Sequence, residues 1–312
     1  MAKPKTPTYD TSYKLLFSCP ELVRDMLIGY VPGEWLAHAD FNTLTRINAS
    51  YVTRSNKQRH DDMVWRLDVG GQSLWVYILL EFQSEPYPWM AVRMMQYVSL
   101  LAEQIIKEDK LPSGRLPPVL PIVLYNGQTA WNAPVDVADC FHALPGEMKA
   151  YQPTLRYILI DELRLKQPAF GEAINLAGAA FAMEASDPDG VVSVVHALHK
   201  TLLAPETHPL REVFSQWIKA LLMRRATDSM IEEIAAIKDI FEEIDMLTGN
   251  RETWFAKDIE KSFMQGMEKG MEKGREEALL SVARNMLHAG KPCADIAQAT
   301  GLPLKTIQSL MH

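Results

Sequence analysis

Asp62–Ser84 reads DMVWRLDVGGQSLWVYILLEFQS, two apolar-rich runs on either side of Gly70-Gly71 with a carboxylate towards each outer end. From Leu74 to Leu80 every residue is apolar, the pattern of a strand buried on both faces. Glu81 and Gln83 at its end therefore call for a separate explanation. The glycine pair is a turn signal and predicts a β-hairpin. A two-residue loop pairs Val69 with Gln72 and leaves Asp62 opposite Leu79, diagonal to Glu81. A four-residue loop sets Asp62 directly opposite Glu81. Both registers hold the two carboxylates on one face, with side chains about 5 to 8 Å apart; a three-residue loop puts them on opposite faces. Gln83 shares the face of Glu81 because side chains alternate along a strand.

Two carboxylates this close repel each other and are costly to desolvate, so an isolated pair tends to share a proton. A divalent cation removes that penalty. Hard oxygen donors in small number suit Mg2+ or Mn2+, which keep several waters and accept further ligands from phosphate. Such an ion orients an attacking water and neutralises charge on a phosphodiester. In the alternative, Asp62 and Glu81 are strand-end residues that face water or pair with Arg59, Arg66 or Arg93. Just before Asp62 stand Arg54, Lys57, Arg59 and His60, a basic loop able to contact backbone phosphates or to stay solvated, and Lys107, Lys110 and Arg115 follow later.

Outward from the hairpin, helical spacing of Leu15, Leu16, Phe17, Leu22, Val23, Met26 and Leu27 predicts a helix from about Ser12 to Gly29, with Asp10 as its N-cap or as an extra acidic group. A strand is expected over Arg46–Arg54. After Pro86 and Pro88, a helix is expected over Met90–Lys107, with Arg93 and Tyr97 four residues apart and projecting together. Strands are expected at Val119–Tyr125 and Leu155–Ile160, the latter followed by Asp161 and Glu162 as outer acidic groups or caps. This order of elements points to an α/β fold.

The ordered set Asp10-x-x-Tyr13-Lys14-x-x-Phe17, Asp62-Met63-Val64-Trp65-Arg66, Leu80-Glu81-Phe82-Gln83-Ser84, Met90-x-x-Arg93-x-x-x-Tyr97 and Leu116–Gly127 resembles the Rpn family of recombination-promoting nucleases, also called YhgA-like transposases, over roughly the first two hundred residues. That family falls in the PD-(D/E)xK nuclease superfamily. The resemblance implies a restriction-endonuclease-like core and a metal-dependent DNA endonuclease associated with recombination. Asp62 and Glu81 would be the Mg2+ or Mn2+ ligands. Gln83 stands where the superfamily has lysine; its amide can orient water but supplies no cation, which leaves Lys14 or Arg93 to supply charge. The alternatives are a catalytically weak DNA-binding or transposition-associated protein, and an oligomeric interaction scaffold.

The remainder divides into a core over residues 1–165, a helical extension over 166–262 and a tail over 263–312. Helices are expected at Glu172–Ala185, Gly190–Leu203, Leu210–Arg225 and Met230–Leu247. In the tail, Gly266, Gly270 and Gly274 recur every four residues, as a seam between chains or a flexible linker. Three short helices follow, Leu279–His288, Cys293–Thr300 and Leu304–Met311, the last two resembling a helix-turn-helix with Lys305 as the only lysine or arginine of the final helix. At 47% hydrophobic and 23% charged residues the composition is that of a globular protein. The net charge of -7 argues against a general nucleic-acid coat. No apolar stretch approaches the length of a membrane span and no apolar signal core opens the chain, so a cytoplasmic location is expected. Three scattered cysteines make neither a disulfide framework nor a cysteine zinc site.

Overall fold

The computed structural model describes residues 8–47, 63–70, 75–108, 111, 114–142, 146–165, 174–202, 204–226, 230–243 and 256–310. Residues up to Phe255 form one compact unit and Ala256–His312 a second.

The first unit is a mixed α/β structure built on a five-stranded sheet in sequential order. Strand β2 (Met63–Val69) runs antiparallel to both its neighbours, β1 (Ala39–Ile47) and β3 (Trp75–Gln83), whereas β4 (Val119–Tyr125) and β5 (Ile158–Asp161) continue parallel to β3. The change of direction follows from the connections: β2 and β3 are antiparallel neighbours joined by a short segment that begins at Gly70, whose φ of 78° suits a residue without Cβ. A whole helix, α3 (Met90–Lys107), returns the chain between the parallel pair β3 and β4. Within the hairpin Met63 pairs with Leu80 and Asp68 with Trp75, the register of the four-residue loop, in which position 62 is expected opposite 81.

Alternation along the strands divides the core. On one face Met63, Trp65, Leu67, Ile78, Leu80, Phe82, Ile122, Leu124 and Ile160 pack with α1 (Tyr9–Leu16), α2 (Pro20–Tyr30), α4 (Leu176–Ala185), α5 (Pro188–Thr201), α6 (His208–Arg225) and α7 (Ile231–Ala236). On the other face Val64 and Val123 meet Met90, Ala91, Met94, Tyr97, Leu101 and Ile105 of α3. Each such apolar side chain, fully buried, contributes about 1.5–3 kcal/mol. The helices beyond β5 thus share one core with the sheet.

Several expected elements differ in extent. The single helix over Ser12–Gly29 is two, because Pro20 begins α2 at a position where its missing N–H is harmless, and the chain breaks at Phe17–Cys19. Thr8, not Asp10, caps α1, its hydroxyl accepting from the Thr11 N–H at 3.3 Å. The strand expected over Arg46–Arg54 starts earlier, at Ala39, and shares only Arg46 and Ile47 with that range; 48–54 lie outside the described residues. The last strand is displaced towards Asp161, while Arg156 makes only an isolated bridge to Asp136. The helix expected over Met230–Leu247 ends at Ala236, where Ile237 turns extended.

In the second unit the glycine repeat is helical and not a linker: α8 runs from Ala256 to His288 and takes in the short helix expected over Leu279–His288. After Gly290, α9 (Cys293–Thr300) and α10 (Leu304–Ser309) follow Pro292 and Pro303, and Gly301 ends α9 in the left-handed region at φ 70°. Ala283, Ile296 and Ile307 form this unit's small core. Among the described residues no helix is long and apolar enough to cross a membrane.

Candidate functional site

The end of β3 brings its polar residues to the α3 face of the sheet. Glu81 pairs with Val123 and Gln83 with Tyr125, and Val123 belongs to the core beneath α3. Glu81 is 1% exposed. Its Oε1 accepts two hydrogen bonds, from Arg93 Nη1 at 2.9 Å and from Gln83 Nε2 at 2.7 Å. Its Oε2 is buried with no hydrogen-bond partner among the described residues. A buried carboxylate oxygen without a partner costs several kilocalories per mole in isolation.

Arg93 reaches Glu81 because it lies one turn into α3, directly after the strand end. Burial disfavours its charge, but the Glu81 carboxylate, through charge and hydrogen bond, outweighs that and holds the guanidinium above its ordinary value. The Tyr87 ring lies 4.2 Å from the guanidinium carbon, a cation–π contact that further fixes the side chain. The spacing of Arg93 and Tyr97 brings both to this helix face, Tyr97 within the core and Arg93 at its edge.

The loop after β4 closes the strand end. Asn126 N–H donates to the Gln83 carbonyl at 3.2 Å, and Tyr125 OH donates to the Thr129 carbonyl at 2.6 Å. A Cβ at Gly127 would collide with Tyr125 OH and the Ser84 carbonyl, so glycine is required for the chain to pass there. Arg164 braces the same loop: it donates to the Gly127 and Gln128 carbonyls at 3.3 and 2.8 Å and pairs with Asp161 at 2.8 Å. Asp161 thus anchors a loop. Glu162 turns to the opposite face, 0% exposed, and accepts from Tyr13 OH at 2.6 Å.

The structure therefore brings Glu81, Gln83 and Arg93 into one hydrogen-bonded cluster. Lys14 stands on α1; Tyr13 of that helix and Phe17 just after it pack on Phe82, on the face of the sheet opposite Glu81. Asp62, Arg54, Lys57, Arg59 and His60 lie outside the described residues, as does Lys110. Sequence reasoning missed the loop-bracing Arg164 and the burial of Glu162; the Asn126-Gly127 turn signal marked where the loop would be, but not its partners. Among the described residues no three His, Cys, Asp or Glu side chains form a metal cage. Mg2+ and Mn2+ need no such cage, since water and phosphate complete their shells, and the unpartnered Oε2 of Glu81 is a hard oxygen donor of the kind that could hold one. The three cysteines are free thiols, and burial pushes those of Cys19 and Cys140 up.

Comparison with known proteins agrees in kind. Residues 7–210 match the family model described as "Putative transposase, YhgA-like". Recombination-promoting nuclease RpnC of Escherichia coli (strain K12) is 30% identical over 128 residues, 41% of this chain and 42% of the relative. RpnA, a recombination-promoting nuclease of the same strain, is 28% identical over 145 residues, 45% of this chain and 48% of the relative. The inactive recombination-promoting nuclease-like protein RpnE of that strain is 26% identical over 122 residues, 39% of this chain and 40% of the relative. The chain spans less than half the length of these three relatives. No solved structure matches.

Proposed function

We propose that this chain, which belongs to the Rpn family of YhgA-like transposases and recombination-promoting nucleases, is a metal-dependent DNA endonuclease with a PD-(D/E)xK-type core. The observation that carries the reading is the unpartnered, buried Oε2 of Glu81 beside a fixed arginine and glutamine. Asp62 and Glu81 would hold Mg2+ or Mn2+; the Met63–Leu80 register supports this, being the one in which the two are expected to face each other. The bound ion would lower the pKa of a water and offset phosphate charge. Gln83, whose amide nitrogen is committed to Glu81, offers its amide oxygen to orient that water. Arg93 has five N–H donors and gives one to Glu81 Oε1, so further donors are available to stabilise the phosphate as charge builds. Arg54, Lys57 and Arg59 are proposed to hold flanking phosphates by charge.

A second reading, DNA binding without cutting, draws support from Gln83 in the place of the superfamily's lysine and from the relative named inactive. Plasmid nicking with Mg2+, Mn2+ or EDTA separates the two, run alongside Asp62→Ala and Glu81→Ala. Nicking that needs the metal and disappears in both variants is expected. Activity that survives either substitution removes the proposed site, and binding with no cutting under any metal selects the second reading.

A further inference from the structure

Between β3 and α3 the chain runs Glu85-Pro86-Tyr87-Pro88-Trp89, and it leaves two large aromatic residues in solvent, Tyr87 at 37% and Trp89 at 55% exposure. Neither supplies the core with packing in proportion to its size. The Tyr87 ring lies against the Arg93 guanidinium that holds Glu81, and Trp89 is the N-cap residue one turn before Arg93, its carbonyl accepting from the Arg93 N–H at 3.0 Å. Prolines after Glu85 and after Tyr87 restrict the backbone of the preceding residue and fix their own φ. The segment consequently has little freedom to lose when a ligand stacks on it.

We propose that Tyr87 and Trp89 form a stacking rim for an unpaired nucleobase next to the phosphodiester at Glu81, so that the substrate is single-stranded or locally unpaired DNA. This rests on the nuclease reading and names its substrate class. Bases present π-faces only when unstacked from a duplex, and exposed aromatic rings take them up with little regard to sequence. Arg93 on the Tyr87 ring draws electron density from it and favours an electron-rich partner, while guanidinium N–H groups suit a phosphate. Exposed aromatic residues next to an arginine that holds a carboxylate fit a nucleotide, base and phosphate together, better than they fit a purely apolar protein partner.

The full chain in EDTA, where no cutting intervenes, is titrated with a fluorescein-labelled single-stranded deoxyoligonucleotide, the corresponding duplex, and a single strand with abasic positions. Wild type should bind the intact single strand most tightly. Trp89→Ala and Tyr87→Ala should each weaken that binding about five- to a hundredfold, with Trp89→Phe and Tyr87→Phe retaining most of it, and abasic positions should reproduce the loss in wild type. Single-strand affinity unchanged in both alanine variants, shown folded by circular dichroism, overturns the rim and leaves the aromatics to a protein partner. Metal-dependent nicking alongside that result keeps the nuclease reading; aromatic-dependent strand binding with no nicking under any metal refutes the nuclease and keeps the rim.

Discussion

Two buried glutamates stand at strand ends of the same sheet, those of β3 and β5 with β4 between them, on opposite faces. Glu162, 0% exposed after β5, receives the Tyr13 hydroxyl and ties α1 to the sheet within the larger core. Its charge is felt nearby: burial first, and then the Glu162 carboxylate, push the Tyr30 phenol up. Glu81, 1% exposed at the end of β3, has one oxygen held by Arg93 and Gln83 and the other with no hydrogen-bond partner among the described residues. Burial is thus the same, and the outstanding valence differs. A carboxylate enlisted to join elements serves stability; one whose second oxygen is left unpartnered beside a fixed cation is the one proposed above to take a ligand.

The contrast breaks most visibly in activity. Glu81→Ala is expected to lower Mg2+-dependent nicking about a hundred- to a thousandfold, whereas Glu162→Gln should leave nicking per folded molecule unchanged; equal losses in plasmid assays would erase the distinction. Next in size is Arg93→Ala, which strands the Glu81 charge. Breaking a buried pair costs about 3 kcal/mol, read as a shift in the urea midpoint. Mn2+ should then raise the melting temperature more in this variant than in wild type, because the cation takes over a carboxylate that the arginine no longer satisfies. An identical Mn2+ shift in both proteins would show that Glu81 is not where the ion binds.

On the Glu162 side, Tyr13→Phe should cost about 1.5–3 kcal/mol, the value of a hydrogen bond to a charged acceptor, without changing nicking at temperatures where the variant is folded. Denaturant melts that superimpose on wild type would remove Glu162 from the fold's support. The smallest effect is expected at Tyr157, whose hydroxyl donates to the Pro134 carbonyl at 2.9 Å and lies 3.1 Å from Trp131 Nε1. Burial pushes this phenol up to about 12, with the Trp131 hydrogen bond opposing. Because the folded value lies above the unfolded one of about 10, this stabilisation is complete below about pH 10 and is lost as pH rises through about 12. Tyr157→Phe should cost about 1 kcal/mol at neutral pH and flatten that alkaline slope in pH-dependent melts.

Much of the fold was legible because its signals are local. The unbroken apolar run leading to Glu81 marked β3, the alternating four- and three-residue spacing of Met94, Val98, Leu101 and Ile105 marked α3, and Val119–Tyr125 was bounded correctly by its own apolar run and Asn126-Gly127. Boundaries failed where one competing residue decided them. Pro20 divided an otherwise continuous helical pattern, Thr8 outcompeted Asp10 as cap, and the glycine repeat stayed helical despite a cost of about 1 kcal/mol per glycine. The site was legible in part for the same reason: Glu81 and Gln83 share a face by alternation, and Arg93 follows within one turn of the next helix.

The sequence by itself determined the residues available for chemistry, the faces on which β3 sets them and the pattern that resembles a nuclease family, because side-chain alternation and helical period are properties of the local chain. Tertiary structure alone decided between the two carboxylates that close β3 and follow β5. Which oxygen is satisfied depends on partners far along the chain or on another element, Tyr13 for Glu162 and Arg93 for Glu81. No spacing rule carries that information, because only folding brings donors and acceptors from different elements together and excludes the water that would otherwise serve them all.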